Sequence, residues 1–562
     1  MSNEDVSLFK IPIELVTTKH IIKQELSDDL ELVNGGLPLY ERMFDADDDF
    51  KKLTIQEQSK WYTTDVEYLR DTQKIIKNDI PMVPEYTGMM EFYSAEIIPD
   101  DFRNKYSYVG WDKIEFINKS SEALQYISLY NISSPVMSLM LPVIMLLIPF
   151  FMLRLKHSNI TWDTYYTCLQ QVLRNHSLGQ IFHFSSATFD KQIMIIMSIL
   201  FYFVQVYFNT QSCLSFVKNM TEIHDQIFCV RNYIKDTIAS FDHIEKNWCD
   251  CSTYRPFIDK CRSISIQSKL MCKELDNISD LSLSVTKIGD IGKAMRAYYM
   301  LNIDKEWKNV VKYCIYYNSY IHSLKSIKEK LGSTINMCKF GSTTSFNGLV
   351  YPLLSTSNAV ENNVTLDKNI IITGPNAAGK TTLLKAIMIN TLITQQFGCG
   401  YFKKAKIRPY HVLSSYINIP DTSGRDSLFQ AEATRCKSIL DNVVLDEDLR
   451  HLCIFDELFS GTNPYEAISS ATAYLKCIGE KKNIKFVLTT HFLDLCNRLD
   501  KVDNIKNTQM QVIEDKNLDF KYSYKMVDGI SNVKGGIKVF RDLGYPKSII
   551  DECTSIIAEI KL

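Results

Sequence analysis

The chain has 562 residues, with 63 Lys plus Arg against 65 Asp plus Glu and a formal net charge of −2. That balance excludes a globally basic nucleic-acid coat, while 46% hydrophobic and 23% charged residues exclude a disordered tail or a low-complexity polymer. A chain of this length predicts several domains, at roughly 150 residues each. Fifteen cysteines are scattered along a chain that begins MSNEDVSLFK without a secretory leader, and they read as reduced thiols in a cytosol-facing or nuclear compartment. Cys249, Cys251 and Cys261 lie closest together, but they lack paired C-x-x-C spacing and a following His pair, so no metal is expected there.

Residues 1–125 are mixed and charged, with acidic spots such as Asp45 to Asp49 and a helical-looking stretch from Ile55 to Ile76. Residues 126–210 hold two apolar stretches, Val136 to Leu153 and Ile193 to Phe208, free of formal charge and separated by a polar segment with Trp162, Tyr165 and Tyr166. As helices they would be about 27 Å and about 24 Å long, near the thickness of bilayer hydrocarbon. Two readings follow: a membrane hairpin that leaves both chain ends on one side, or a pair of fully buried core helices. Pro142, Pro149 and Gln205 interrupt the stretches, although membrane helices tolerate proline. Arg154, Lys156, Arg174 and Lys191 in the connection set no clean orientation. Residues 211–335 show apolar residues at three- and four-residue steps, as in Phe216 to Ile244 and Trp307 to Ile327, and predict a helical bundle or arm. FGSTTSFNGLVY marks a boundary, and residues 336–562 then alternate between strand-like and helix-like runs.

The apolar run Ile370 to Ile372 ends in Gly374-Pro375-Asn376-Ala377-Ala378-Gly379-Lys380-Thr381-Thr382, followed by the helical LLKAIMIN. This is strand, phosphate loop, helix. The glycines let backbone N–H groups and the helix N-terminus face phosphate oxygens, Lys380 adds a point charge, and Thr381 offers a hydroxyl to magnesium. Further on, the strand-like His451 to Phe455 delivers Asp456 and Glu457. A carboxylate there suits magnesium, and its neighbour suits the attacking water. A third strand-like run, Phe486 to Thr490, delivers His491, placed to sense the γ-phosphate or steady that water.

GPNAAGKTT, SGRDSLFQAEATRCKSIL, LCIFDELFSGTNPYEA and TTHF together resemble the ATPase domain of the MutS family, relatives of the ABC-type ATPases. The resemblance covers roughly residues 340–562, and more weakly 212–335, which look like the family's core and lever region. It implies an α/β C-terminal P-loop ATPase domain beside a mainly α-helical N-terminal and core-lever region. It also implies ATP and Mg2+ as cofactors, and a homodimer or heterodimer with the nucleotide shared between subunits. In this sequence Asn376 would contact the γ-phosphate in cis and Ser427 would reach it from the partner, while residues 535–562 resemble the C-terminal helical dimer contact. DNA is the implied ligand, gripped by helical arms whose motion follows nucleotide state.

The departures narrow this expectation. Mismatch-reading relatives wedge a Phe from a Phe-x-Glu motif beside an unstacked base. Here the only such motif is Phe455-Asp456-Glu457, which belongs to the second strand end. The two apolar stretches are foreign to ordinary repair members and similar to MutS-like proteins that carry membrane segments. A membrane-anchored ATPase that drives protein assembly without DNA is the alternative. A small-molecule kinase suits the adjacent Asp-Glu pair poorly, because that pair is arranged for water attack.

Overall fold

The computed structural model describes residues 8–78, 80–85, 89, 101–155, 161–175, 184, 185, 188–279, 290–354, 359–417, 428–445, 448–514, 520–533 and 535–560. The chain forms two compact units, one of residues 1–83, 240–263 and 315–562, the other of 84–239 and 264–314. The segments 1–125 and 211–335, distinct in sequence character, each contribute to both units.

The first unit is organised by a six-stranded sheet in the order Val412–Tyr416, His451–Asp456, Ile484–Thr490, Asn369–Thr373, Ile505–Glu514 and Phe520–Asp528. The first five strands are parallel and the last is antiparallel. Ile370 to Ile372 and Leu452 to Phe455 are buried throughout, the pattern of parallel strands covered on both faces. The register sets Asp456 opposite Thr489, and Thr490 opposite Thr373. Three strands therefore end along one edge, where ligand crevices form in open parallel sheets. Beneath one face Phe455, Phe486, Leu475 and Leu488 share a core. The helix Pro464–Gly479 starts cleanly because the Asn463 side chain accepts the Glu466 N–H and Pro464 pre-sets the first turn.

The helix Lys380–Phe397 has no solvent face. N-terminal residues of the same unit cover it: Tyr40 donates to Gln396 Oε1 at 2.7 Å, Gln395 donates to the Thr63 carbonyl at 3.2 Å, and Lys385 pairs with Glu31 at 3.1 Å. The helical stretch expected from Ile55 to Ile76 is divided. Helices Ile55–Gln58 and Val66–Asn78 flank a strand, Trp61–Thr63, that pairs antiparallel with Lys19–Ile21. Trp, Tyr and Thr favour the pleated partner, and Asp65 restarts the helix by accepting the Glu67 and Tyr68 N–H groups at 2.9 and 3.1 Å.

In the second unit the first apolar stretch lies in the helix Ser121–Leu155 and the second opens the helix Phe189–Asn247, with the helix Trp162–Asn175 between them in sequence. Tyr202 donates to the Ser138 carbonyl at 3.1 Å, Asn209 donates to the Ser138 hydroxyl, and Cys213 donates to the Ile132 carbonyl at 3.6 Å, so the two long helices run antiparallel. The buried-core alternative does not hold, since side chains such as Leu139 and Phe203 are 60% and 62% exposed. Among the described residues, Phe189–Asn247 is a helix long and apolar enough to cross a membrane. No disulfide joins the fifteen cysteines. Burial pushes the thiols of Cys314 and Cys453 up to about 12. No group of three or more His, Cys, Asp or Glu among the described residues is arranged to hold a metal.

Candidate functional site

The buried Asn369–Thr373 strand runs into the Gly374–Gly379 loop and then the helix Lys380–Phe397. Ala377 and Gly379 take left-handed backbone conformations, with φ of 66° and 87°. At Gly379 a Cβ would sit 3.1 Å from Tyr524 Cδ1 on a backbone that side chains disfavour, so only glycine fits without strain. Gly374, Pro375 and Ala378 are buried under the loop, Asn376 and Ala377 form its exposed crest, and Thr381 and Thr382 are half-buried. The helix N-terminus, with its unpaired N–H groups, thus opens toward the crest.

Lys380 is 6% exposed, and its ammonium donates to the carbonyls of Gly374 and Pro375 at 2.9 and 3.2 Å. Thr381 Oγ1 donates to Asp456 Oδ2 at 2.8 Å, and Thr489 Oγ1 donates to the other oxygen of that carboxylate. Glu457 Oε1 lies 3.8 Å from Lys380 Nζ and 3.6 Å from His491 Nδ1. Glu457 itself has φ of 50°, a left-handed conformation that costs a non-glycine residue about 1–3 kcal/mol. Its N–H donates to the Thr489 carbonyl at 3.0 Å, which holds the turn. The structure therefore brings Lys380, Thr381, Asp456, Glu457 and His491 together at the sheet edge. Lys380, Thr381, Asp456 and Glu457 border a cavity of about 870 Å³ whose other wall includes Leu349, Tyr351, Val360 and Tyr524, and His491 stands behind Glu457. Ser427 lies outside the described residues, and the helix Leu428–Leu445 follows it.

The charges are tuned by these neighbours. His491 beside it, with Lys380 assisting, holds the Glu457 carboxyl below its ordinary range, so it is ionised at neutral pH. Burial pulls the Lys380 ammonium below its ordinary range, against the attraction of Glu457 and Asp456. Burial leaves the Lys380 ammonium poorly solvated, and an anion arriving beside it would compensate that loss.

Three contributors escape sequence reasoning. Thr489 was legible only as the end of a strand; its role depends on standing opposite Asp456. Glu432, 2% exposed, accepts from Ser460 Oγ at 3.1 Å and from the Gly461 N–H at 3.2 Å, fastening the loop after Glu457 to the Leu428–Leu445 helix. Its placement in SGRDSLFQAE is the only signal for it. Tyr524, far along the chain, gave none.

The family model for MutS domain V matches residues 370–561. The chain is 31% identical over 222 residues to the DNA mismatch repair protein MutS of Caldicellulosiruptor saccharolyticus, a match covering 38% of this chain and 25% of that relative. It is 24% identical over 306 residues to the DNA mismatch repair protein MutS of Prochlorococcus marinus, covering 54% of this chain and 32% of that one. Against the Endonuclease MutS2 of Clostridium novyi it is 26% identical over 252 residues, covering 43% and 30%. Residues 370–561 of the chain are a domain of the MutS family. This MutS domain V contains the entire cluster from Lys380 to His491, set in a mixed α/β sheet. The matched part spans about a third or less of the length of these MutS relatives.

Proposed function

We propose that this chain is a magnesium-dependent ATPase that holds ATP between paired subunits and couples hydrolysis to DNA binding by its helical arms. The convergence of Lys380, Thr381, Asp456 and Glu457 on one cavity, with His491 beside Glu457, carries this reading. The donor set fits the cofactors: a hydroxyl and a carboxylate 2.8 Å apart suit magnesium, which completes its shell with water and phosphate oxygens rather than a protein cage. Bound magnesium would neutralise charge on the β- and γ-phosphates. Lys380 would transfer its hydrogen bonds from the loop carbonyls to phosphate oxygens, and the amides of Asn376 to Thr382 would line the same anion. Glu457 would orient a water and accept its proton as the water oxygen bonds to the γ-phosphorus and the bond to the β-phosphate oxygen breaks. His491 would fix the Glu457 carboxylate.

Pairing is supported by the exposed apolar residues Leu543 and Tyr545, between the helices Gly536–Asp542 and Lys547–Ile560, and Ile549 in the second of them. Ser427 of each subunit would complete the other's nucleotide site. DNA as the ligand rests on the relatives that are named DNA mismatch repair proteins. Mismatch wedging by Phe455 is ruled out physically, because that side chain is fully buried in the core, so the arms would grip DNA by another contact.

Glu457→Gln should bind ATP normally and hydrolyse it roughly 10²–10⁴-fold more slowly; normal turnover would remove the assignment. Turnover titrated with duplex, mismatched, branched and single-stranded DNA tests the ligand. Stimulation that weakens steeply with salt is expected, and indifference to every DNA would defeat the coupling.

A further inference from the structure

We infer that the apolar parts of the helices Ser121–Leu155 and Phe189–Asn247 form a hairpin that inserts into a lipid bilayer. The occupant of this surface is hydrocarbon rather than another protein, and four independent features of the pair agree on it.

The first is the absence of formal charge, from Ala123 to Leu153 in one helix and from Gln192 to Val217 in the other. The second is distribution: Val143, Leu147, Ile196, Leu200, Phe201 and Phe203 are all exposed, and the apolar residues occupy every side of both helices. A protein partner covers one stripe of a helix, whereas a helix apolar all round needs an apolar solvent. The most apolar window of the second helix has a mean hydropathy of 1.7 with only 6% of its residues buried.

The third feature is backbone chemistry. Pro135, Pro142 and Pro149 lie inside one continuous helix, which is poorly tolerated in water and accepted in membranes. The polar groups between the helices turn inward: Tyr202 and Asn209 both donate to Ser138, as polar side chains do where no water competes. The fourth is the position of the aromatic residues. Tyr126, Tyr130 and Tyr207 flank one end of the apolar zone, and Trp162, Tyr166 and Phe189 the other, all exposed. Such rings settle at the headgroup level on both faces. The helix Trp162–Asn175 then lies at the far face, and the chain returns to the face from which it entered.

The test uses the full-length chain in isolated membranes, washed with sodium carbonate and floated through a sucrose gradient. The wild type should float after the carbonate wash and be released only by detergent. Val143→Lys combined with Leu200→Lys places two charges at mid-depth, and each should lower the inserted fraction on the order of a hundredfold. Retained helical circular dichroism and binding of a fluorescent ATP analogue show that the variant still folds. In sealed vesicles, tags on the two chain ends should be cleaved together or protected together. A wild type that stays in the carbonate supernatant, or that sediments without floating as a protein-only assembly, overturns the inference. So does a double-lysine variant that floats like wild type, or a pair of tags that behave oppositely.

Discussion

At the carboxyl edge of the six-stranded sheet polar side chains face inward and satisfy one another, whereas along the Ser121–Leu155 and Phe189–Asn247 helices apolar side chains face outward with few polar groups between them. The same residue types carry opposite meanings in the two places. A threonine hydroxyl at the sheet edge orients a carboxylate, while a serine hydroxyl in the hairpin only joins two helices. The difference teaches that a polar contact gains functional weight from the charge it positions, and that burial alone does not supply it.

Four substitutions test that contrast, beginning with the greatest effect. Lys380→Ala removes the cation from the loop and should weaken nucleotide binding on the order of a hundredfold, measured by titration calorimetry; unchanged affinity would empty the sheet edge of its assigned role. Thr489→Val keeps the shape but frees one Asp456 oxygen. It should lower ATP turnover or magnesium affinity by about 10- to 100-fold while leaving the melting temperature nearly unchanged.

A smaller effect is expected at His411, whose Nδ1 accepts the Arg450 N–H at 3.1 Å. Burial, with Arg450 and His20 adding repulsion, pushes its imidazole down to about 4. An unfolded histidine titrates near 6.5, so the unfolded chain takes up the proton first. Stability from the neutral ring is present above about 6.5 and is lost as pH falls toward about 4. Urea midpoints should decline across that window in the wild type and flatten in His411→Gln; parallel curves would refute the account. Last, Ser138→Ala removes a hydroxyl of the same kind as Thr489 from the hairpin and should cost only about 0.6 kcal/mol in detergent micelles, with no change in turnover. Equal losses at Ser138 and Thr489 would erase the contrast.

How much of this was legible beforehand depends on the range of the interactions. The loop from Gly374 to Thr382 and the strand ends at Asp456 and His491 could be read because each is a local pattern of backbone and side chain. The apolar stretches were equally plain, since composition survives without a partner; setting aside a buried core required the exposures of Leu139 and Phe203. The false continuity from Ile55 to Ile76 shows the limit. Helical spacing continues through Trp61 to Thr63, and only pairing with Lys19 to Ile21 turns that run into a strand. Glu432 and Tyr524 stayed hidden for the same reason, because their partners Gly461 and Gly379 are set by topology.

The two hydrogen bonds from Lys380 to its own loop have a kinetic corollary. The two carbonyls brace the ammonium within the loop, in the role that phosphate oxygens would take over under the proposed function. Entry then becomes an exchange of acceptors rather than a refolding of backbone. Arrival should therefore be fast, and the discrimination between di- and triphosphate should appear in how slowly each one leaves.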